Sequence, residues 1–304
     1  MWADAHIFVY HRFGDSRHPT TDTTITQITK EFDYLKNGGY RVIPLKKLVN
    51  ALKDGSNIPD NWVVLTIDDN FRSFYDNALP IFKKYKYPFS LFVYVEATQK
   101  RYPDYLSWEQ LKEISKYGSL EFHSYSHPHM TRLSDKQLKA DFKKGLKIFK
   151  KMLHVEPKYF TYPYGEYDSR VKKIAKSFGF DAIINQNMGA VGKKSDLFDL
   201  DRSALVGKSN LKYLLKFKYL HATWIEPKRY PEDGILKALH VETNTDAKSG
   251  GLYITNNGWR KIDMEGGKAN LPLNIKLKNG RNRVIISIKN AISTKLLIKD
   301  NRWN

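Results

Sequence analysis

The stretch WVVLTIDDN, residues 62–70, indicates the fold most directly, because an apolar run with strand character ends there in two carboxylates. Similar runs occupy residues 6–11, 40–45, 89–96, 120–125, 158–164 and 181–186. Patterns of helical period separate them, at residues 26–37, 73–86, 107–117, 134–153 and 168–179. About seven strands that alternate with helices predict an α/β fold whose parallel strands close into a βα barrel. Catalytic groups are then expected at the carboxyl ends of the strands.

The pattern changes near residue 235 to short alternating runs separated by Gly, Asn and Asp, which are typical of an antiparallel β-sandwich. We therefore predict a barrel domain over residues 1–220, a linker over 221–234 and an accessory β-sandwich over 235–304. The linker range carries Pro227, Pro231 and Gly234. Exposed aromatic residues of the sandwich, such as Trp259, are candidates for contact with a polymer.

Composition limits the classes of function. The 304 residues carry a net charge of +19, and the last 70 hold 13 Lys/Arg against 5 Asp/Glu. Such charge suits a polyanion or an anionic envelope surface, or serves only as a solvated surface, and no nucleic-acid-binding motif accompanies it. The absence of cysteine excludes disulfides and thiolate metal sites. No apolar stretch is long enough for a transmembrane segment.

Two clusters of acid–base and metal-binding side chains follow predicted strands. The first is the pair Asp68 and Asp69, in which one carboxylate can bind a cation while the other transfers a proton, although such pairs are also common in turns and helix caps. The second is EFHSYSHPHM (121–130), with His123, His127 and His129. Two imidazoles and one carboxylate suit zinc or a neighbouring transition metal and leave positions open for water and substrate. We expect His129 to serve packing rather than metal binding.

A third motif, FTYPYGEYD (160–168), ends a predicted strand in a turn. Pro163 stiffens this turn and Gly165 allows close approach of the backbone, so the amide of Tyr164 is a candidate donor to a developing oxyanion.

Three of these segments, TIDDN (66–70), HSYSHPH (123–129) and TYPYG (161–165), resemble in their order the first three motifs of the polysaccharide deacetylases, the NodB-homology or carbohydrate esterase family 4 enzymes. VYHRFGD (9–15) is similar to the first strand of the branch that acts on poly-β-1,6-N-acetylglucosamine. The resemblance covers residues 6–220 and implies a distorted (β/α)7 barrel and metal-dependent amide hydrolysis. It implies that Asp68 is the general base and that Asp69, His123 and His127 bind one divalent metal ion, zinc first, with cobalt or nickel as alternatives.

The chain departs from this family pattern at three points. Asn70 stands where glycine is usual, and it either contacts substrate or only accommodates an unusual backbone angle. Thr161 stands where many members have arginine, so the cation that orients the base must come from elsewhere. Arg202, in FDLDRSAL (198–205), resembles the arginine of the family's fourth region and is the candidate, with a surface ion pair as the alternative. The late histidine that protonates the leaving amine has no clear counterpart; His11 is the better placed candidate and His240 the alternative, with water on the metal as a further source. The expected substrate-binding residues are Asn70, Tyr162, Pro163 and Tyr164.

The function predicted from these residues is removal of acetyl groups from N-acetylglucosamine units of a surface or cell-wall amino-sugar polysaccharide. Two alternatives stay open: an O-acetyl esterase acting on xylan or a related glycan, and a non-catalytic carbohydrate-binding protein that keeps the fold. We expect a periplasmic or extracellular protein whose signal peptide is replaced by Met1.

Overall fold

A computed structural model describes residues 4–299, so Met1 and the outer ends of the predicted domains, residues 1–3 and 300–304, lie outside the described residues. The strands in this range are β1 (His6–Tyr10), β2 (Arg12–Phe13), β3 (Asp22–Thr23), β4 (Arg41–Val42), β5 (Trp62–Asp68), β6 (Ser90–Val93), β7 (Ser119–Phe122), β8 (Tyr159–Thr161), β9 (Ala182–Ile184), β10 (Ser203–Ala204), β11 (Lys218–Tyr219), β12 (Ala222–Glu226), β13 (Ile235–Thr243), β14 (Ser249–Ile254), β15 (Gly258–Asp263), β16 (Lys268–Lys276), β17 (Arg281–Ile288) and β18 (Ala291–Ile298). The α-helices are α1 (Ile25–Asn37), α2 (Leu45–Lys53), α3 (Leu79–Tyr85), α4 (Val95–Gln99), α5 (Trp108–Ile114), α6 (Asp135–Leu153), α7 (Ser169–Lys176) and α8 (Leu211–Leu214). Shorter helical turns are Phe74–Ala78, Met130–Arg132 and Pro163–Gly165.

One parallel sheet forms the first part of the molecule, in the order β10-β1-β5-β6-β7-β8-β9, with β4 also paired to β5. A parallel bridge between Ile184 of β9 and Leu200, just before β10, links the two ends of this order. The sheet fits a distorted (β/α)7 barrel, which confirms the barrel part of the predicted fold. Because all its strands run in the same direction, their carboxyl ends lie at one edge.

Burial on both faces of the sheet explains the continuous apolar runs. Every residue of β5 is buried, and successive side chains enter different apolar clusters: Leu65 and Ile67 pack with the helices on one face, whereas Val64 packs with Ile7 on the other. Burial of an aliphatic side chain of this size contributes about 1.5–3 kcal/mol.

Most helix boundaries follow from capping residues. The spacing of Ser134 and Gln137 predicts the start of α6, and both hydrogen bonds of that capping box are present. The predicted strand at residues 40–45 is wrong beyond Val42, because Pro44 caps α2, an amphipathic helix whose Leu48 is buried. The predicted strand at 89–96 ends at Val93 because the chain turns there into α4.

The C-terminal part contains two more sheets, in the orders β11-β18-β17-β14-β15 and β12-β13-β16. Neighbouring strands are antiparallel except for the β11–β18 pair. Side chains from both sheets, among them Leu239 and Val241 of β13 and Leu252 and Val284 of the larger sheet, share an apolar core. The range 221–234, predicted as a linker, contains β12, which pairs with β13.

The larger C-terminal sheet packs against the barrel through alternate residues of β17. Ile285 of β17 and Ile292 of β18 belong to the barrel's apolar cluster. Val284 and Ile286 of β17 belong to the core between the two C-terminal sheets. Since strand side chains alternate between faces, β17 contributes to both cores. No helix within residues 4–299 is long and apolar enough to cross a membrane.

Candidate active site

The predicted site residues meet at the carboxyl edge of the barrel. β5 ends at Asp68, β7 ends one residue before His123, and β8 ends at Thr161. Arg202 immediately precedes β10, which pairs with β1 at the other end of the strand order. The parallel topology therefore brings together residues that are 134 positions apart in the sequence.

Several residues of this edge adopt left-handed backbone conformations although they are not glycine. The φ angles are 71° at Asp69, 45° at Asn70, 51° at His127 and 59° at Tyr164. Such conformations cost about 1–3 kcal/mol each and persist only where the surrounding structure holds them. Their concentration here is typical of a functional site.

Asp68 and Arg202 form a buried ion pair with two parallel hydrogen bonds. Arg202 Nη1 donates to Asp68 Oδ1 at 2.7 Å, and Nη2 donates to Oδ2 at 2.6 Å. The guanidinium also donates to the hydroxyl of Thr66 and to the carbonyl of Asn185. Both partners are almost fully buried, with 1% and 2% of their surface exposed.

The pair keeps Asp68 ionised. Burial alone raises the pKa of a carboxyl group, but the charge of Arg202 and the hydrogen bonds that it donates hold the pKa of Asp68 below its ordinary value. Asp68 can therefore accept a proton at neutral pH. Arg202 thus contacts the carboxylate that the sequence analysis expects it to orient.

Asp69, His123 and His127 form the group that can hold a metal ion. Asp69 Oδ1 lies 3.3 Å from His123 Nε2 and 3.1 Å from His127 Nε2, and the three ligand atoms lie within 4.8 Å of one another. Asp69 Oδ1 is buried and accepts no hydrogen bond. A buried acceptor without a donor, facing two imidazole nitrogens, fits a divalent cation, and this ligand set is one that zinc and neighbouring transition metals prefer.

The other nitrogen of His123 fixes its tautomer. Nδ1 lies 2.8 Å from the carbonyl oxygen of Thr161, which can only accept, so Nδ1 carries a proton and, in the neutral ring, Nε2 holds the lone pair that faces Asp69. The hydroxyl of Thr161 also lies 2.6 Å from Nδ1. Thr161, noted in the sequence only as a departure from the family pattern, therefore positions one residue of the group that can hold a metal ion.

His129 lies outside the metal-binding group, as expected. Its Nδ1 contacts Glu166 Oε2 at 2.7 Å, and its ring stacks on Tyr164 with the centroids 4.2 Å apart. The ring of Tyr164 also meets His127 edge-on at 4.5 Å. His129 thus supports the tyrosine that borders the metal site.

The structure separates the two candidate general acids. His11 follows β1 at the carboxyl edge; burial lowers its pKa, and the charges of Asp69 and then Asp68 act on it in the opposite direction. Its Nδ1 is buried without a hydrogen-bond partner. His240 lies instead in β13 of the smaller C-terminal sheet, 3.9 Å from Glu242.

Asn70 does not occupy the substrate-binding position predicted for it. The side chain is fully buried, its amide nitrogen donates to Thr98, and its oxygen accepts from the backbone amide of Tyr94. Both ends of the amide are therefore used to join the loop after β5 to the chain after β6. This hydrogen bond to Tyr94 also accounts for the early end of β6.

Two further substrate-binding predictions need correction for the same reason. Tyr162 is 1% exposed and its ring stacks on Tyr167, and Pro163 is buried, so neither side chain is available to a polymer. Tyr164 is different, because 44% of its surface is exposed. Of the predicted set, it alone presents its side chain at the mouth of the site.

Sequence reasoning missed two aromatic residues beside the metal-binding group. The ring of Tyr94 lies 5.3 Å from that of His127 and 5.7 Å from that of Tyr105. Burial, followed by the charge of Asp69, raises the pKa of Tyr105 to about 12. Tyr94 could have been found from the sequence, because it directly follows a predicted strand whose end lies at the active edge. Tyr105 lies in a loop, and no sequence motif marks it.

Comparisons with known proteins agree with this geometry. Residues 55–183 match the family model described as polysaccharide deacetylase. A Bacillus subtilis (strain 168) protein, YxkH, is 26% identical over 178 residues, an alignment that covers 57% of this chain and 63% of the relative. The poly-β-1,6-N-acetyl-D-glucosamine N-deacetylase of Staphylococcus aureus (strain MRSA252) is 28% identical over 213 residues, covering 68% of this chain and 71% of the relative.

A solved structure extends the likeness to the fold. The Streptococcus pyogenes deacetylase PplD, in complex with acetate, superposes with a TM-score of 0.65 at 22% identity, covering 71% of this chain and 98% of that chain. The family resemblance predicted from the three motifs is confirmed.

Proposed function

We propose that this chain, whose residues 55–183 match the polysaccharide deacetylase family model, is a metal-dependent N-deacetylase of N-acetylglucosamine units in a surface or cell-wall polymer. The relatives confirm the predicted class of enzyme, a carbohydrate deacetylase. The observation that carries the proposal is the pairing of an ionised carboxylate, Asp68, with a group of two imidazoles and one carboxylate at the same barrel edge.

Asp69, His123 and His127 would hold the metal ion, which we propose to be zinc, with cobalt or nickel as alternatives. A divalent cation in this position supplies Lewis-acid polarisation of the acetyl carbonyl and lowers the pKa of a water molecule. The residues fit such an ion because Asp69 Oδ1 is buried without a hydrogen bond.

The chain's own groups supply the proton transfers. Asp68 is the general base that takes the proton of the attacking water, and Arg202 keeps it ionised for that purpose. The amide of Tyr164 is the proposed donor to the oxyanion that develops on the acetyl carbonyl. The rings of Tyr94, Tyr105 and Tyr164 border the site and offer faces on which a pyranose ring can stack.

Acetate release from short N-acetylglucosamine oligomers tests the proposal. We expect release from β-1,6-linked oligomers, in line with the name of the S. aureus relative, and a fall of about 10²- to 10⁴-fold in Asp68→Asn, which keeps the shape of the side chain but cannot take the proton. Acetylated xylan is the comparison substrate. Release from xylan alone would favour an O-acetyl esterase, and release from neither would contradict the proposal.

We propose His11 as the group that protonates the departing amine. His11 Nδ1 is buried and has no hydrogen-bond partner. Burial lowers the pKa of the His11 ring, and the charges of Asp69 and Asp68 act on the ring in the opposite direction. His11→Ala should flatten the alkaline limb of the pH–rate profile, since loss of a general acid acts there. His240→Ala is the matched control, and an effect of His240 without one of His11 would reverse the assignment.

The C-terminal part is proposed to be an accessory β-sandwich that contacts glycan or an anionic envelope surface outside the cytoplasm. Its two sheets share an apolar core, and Trp259 on β15 is 49% exposed. Its charge of 13 Lys/Arg against 5 Asp/Glu over residues 235–304 supports contact with an anionic surface. We propose the barrel domain at residues 1–220, with β11 near its end pairing to β18 of the larger C-terminal sheet, and the sandwich continuing from β12 within 221–234.

A further inference from the structure

Side chains of the larger C-terminal sheet donate hydrogen bonds to the loops of the barrel's carboxyl edge. Arg281 Nη1 donates to the carbonyl oxygen of Tyr164, and Arg283 Nη2 donates to that of Gln186 at 2.9 Å. The two arginines lie two residues apart on β17 and therefore on the same face, which is the face that places Ile285 in the barrel's core.

Neither guanidinium has an acidic partner in the part of the chain that the structure describes, and both donate hydrogen bonds to backbone carbonyl oxygens. Burial, and then the charge of Arg281, lower the pKa of Arg283 to about 10. Two like charges close together without a carboxylate repel each other, and the hydrogen bonds to carbonyl oxygens are the contacts that offset this repulsion. The acceptors of their hydrogen bonds are therefore the relevant feature.

The first acceptor belongs to the turn that borders the metal-binding group. Tyr164 has a left-handed backbone, its ring contacts His127 and His129, and its amide is the proposed oxyanion donor. The turn packs closely against Gln186 at Gly165. A Cβ added to Gly165 would lie only 2.6 Å from the Cβ of Gln186, so there is no room for a side chain there.

The second acceptor is next in the chain to a residue that contacts Arg202, the partner of the general base. Gln186 follows Asn185, whose carbonyl oxygen accepts from Arg202 Nε at 3.1 Å, and Arg202 holds Asp68. Hydrogen bonds from β17 thus reach the loops on both sides of the site: the turn with the proposed oxyanion donor and the loop that orients the base.

We infer that Arg281 is a positioning residue for the reaction: from the C-terminal sheet, it holds the Tyr164 turn in the conformation that the transition state needs. This inference rests on the proposed function and deepens it, because it gives the C-terminal sheet a part in turnover on short substrates as well as in polymer contact. Arg281 itself does not touch the reacting atoms.

The test compares Arg281→Gln with Arg260→Gln in the full-length protein. Arg260 is an exposed arginine of β15 and serves as the matched control for loss of one positive charge. We expect Arg281→Gln to lower kcat on a β-1,6-linked N-acetylglucosamine trimer about tenfold with KM unchanged, since small misplacements of catalytic groups reduce rates by up to about 100-fold. Arg281→Lys should recover part of the rate.

Hydrogen exchange at the backbone amides of residues 163–166 gives a readout that does not depend on activity. We expect Arg281→Gln to raise exchange there, with metal content and melting temperature unchanged, and Arg260→Gln to leave it unaltered. Unchanged exchange would overturn the inference, as would raised exchange with wild-type kcat. If the wild type releases no acetate, the proposed function fails, and exchange alone then decides whether Arg281 holds the turn.

Discussion

Replacement of Arg202 by methionine tests the centre of the proposed site. The variant removes two hydrogen bonds to a carboxylate, of 2.6 and 2.7 Å, and leaves Asp68 buried without a cation. Each hydrogen bond to a charged group contributes about 1.5–3 kcal/mol, and breaking a buried ion pair costs about 3–5 kcal/mol. We therefore expect Arg202→Met to lower the free energy of unfolding by about 3–5 kcal/mol at pH 8.

The loss should depend on pH in a defined direction. In the wild type the pKa of Asp68 is below its ordinary value, so its contribution to stability is present above that value and is lost as the pH falls through the folded-state pKa. In Arg202→Met, burial without the guanidinium raises the pKa of Asp68, so that acidification protonates it and removes the penalty. The stability difference between the two proteins should therefore be smaller at pH 5 than at pH 8.

Urea denaturation of wild type, Arg202→Met, Asp68→Asn and the double variant, with a chelator present, measures this difference. Asp68→Asn should cost less than Arg202→Met, because Arg202 keeps its bonds to Thr66 and Asn185. The double variant should be more stable than the sum of the single losses predicts, since no unpaired carboxylate remains. Strict additivity, or a loss below about 1 kcal/mol in Arg202→Met, would refute the reasoning.

Three further predictions concern other parts of the molecule. In elemental analysis, His127→Ala should lose the bound metal and His129→Ala should keep it, because only His127 belongs to the group with Asp69. Equal metal content in the two variants would contradict the ligand assignment. Burial raises the pKa of Glu121 to about 7, so folded protein should lose about 2.5 kcal/mol of stability as the pH rises from 5 to 8, and Glu121→Gln should show a flatter dependence in thermal melts. Trp259→Ala should weaken binding to the polymer and leave acetate release from a trimer unchanged; identical polymer binding would exclude this side chain as a contact.

The buried parallel strands and the group of metal-binding side chains follow from local signals in the sequence. The apolar runs mark β5 and its neighbours because these strands are buried on both faces, and parallel strands place Asp69, His123 and His127 at one edge. Arg202 was a candidate because it resembles the arginine of the family's fourth region, although only the structure shows both of its hydrogen bonds to Asp68.

Side-chain direction was the main feature that the sequence did not reveal. Asn70 and Tyr162 belong to the right motifs, yet both are buried, because a left-handed residue or a turn next to each redirects the chain. Tyr105 comes from a loop without a motif, and Arg281 comes from another part of the chain entirely. Contacts of this kind depend on how separate segments pack, which a linear pattern does not encode.

The shared residues of β17 also bear on how the chain melts and how its parts can be exchanged. Ile285 is part of the apolar core of the barrel, and Val284 beside it is part of the core between the C-terminal sheets. Both cores therefore lose packing if β17 is removed. The two parts should accordingly lose their structure in a single calorimetric transition. A chimaera that joins this barrel to a foreign C-terminal module would expose apolar surface unless a strand with the same two-sided pattern is grafted with it.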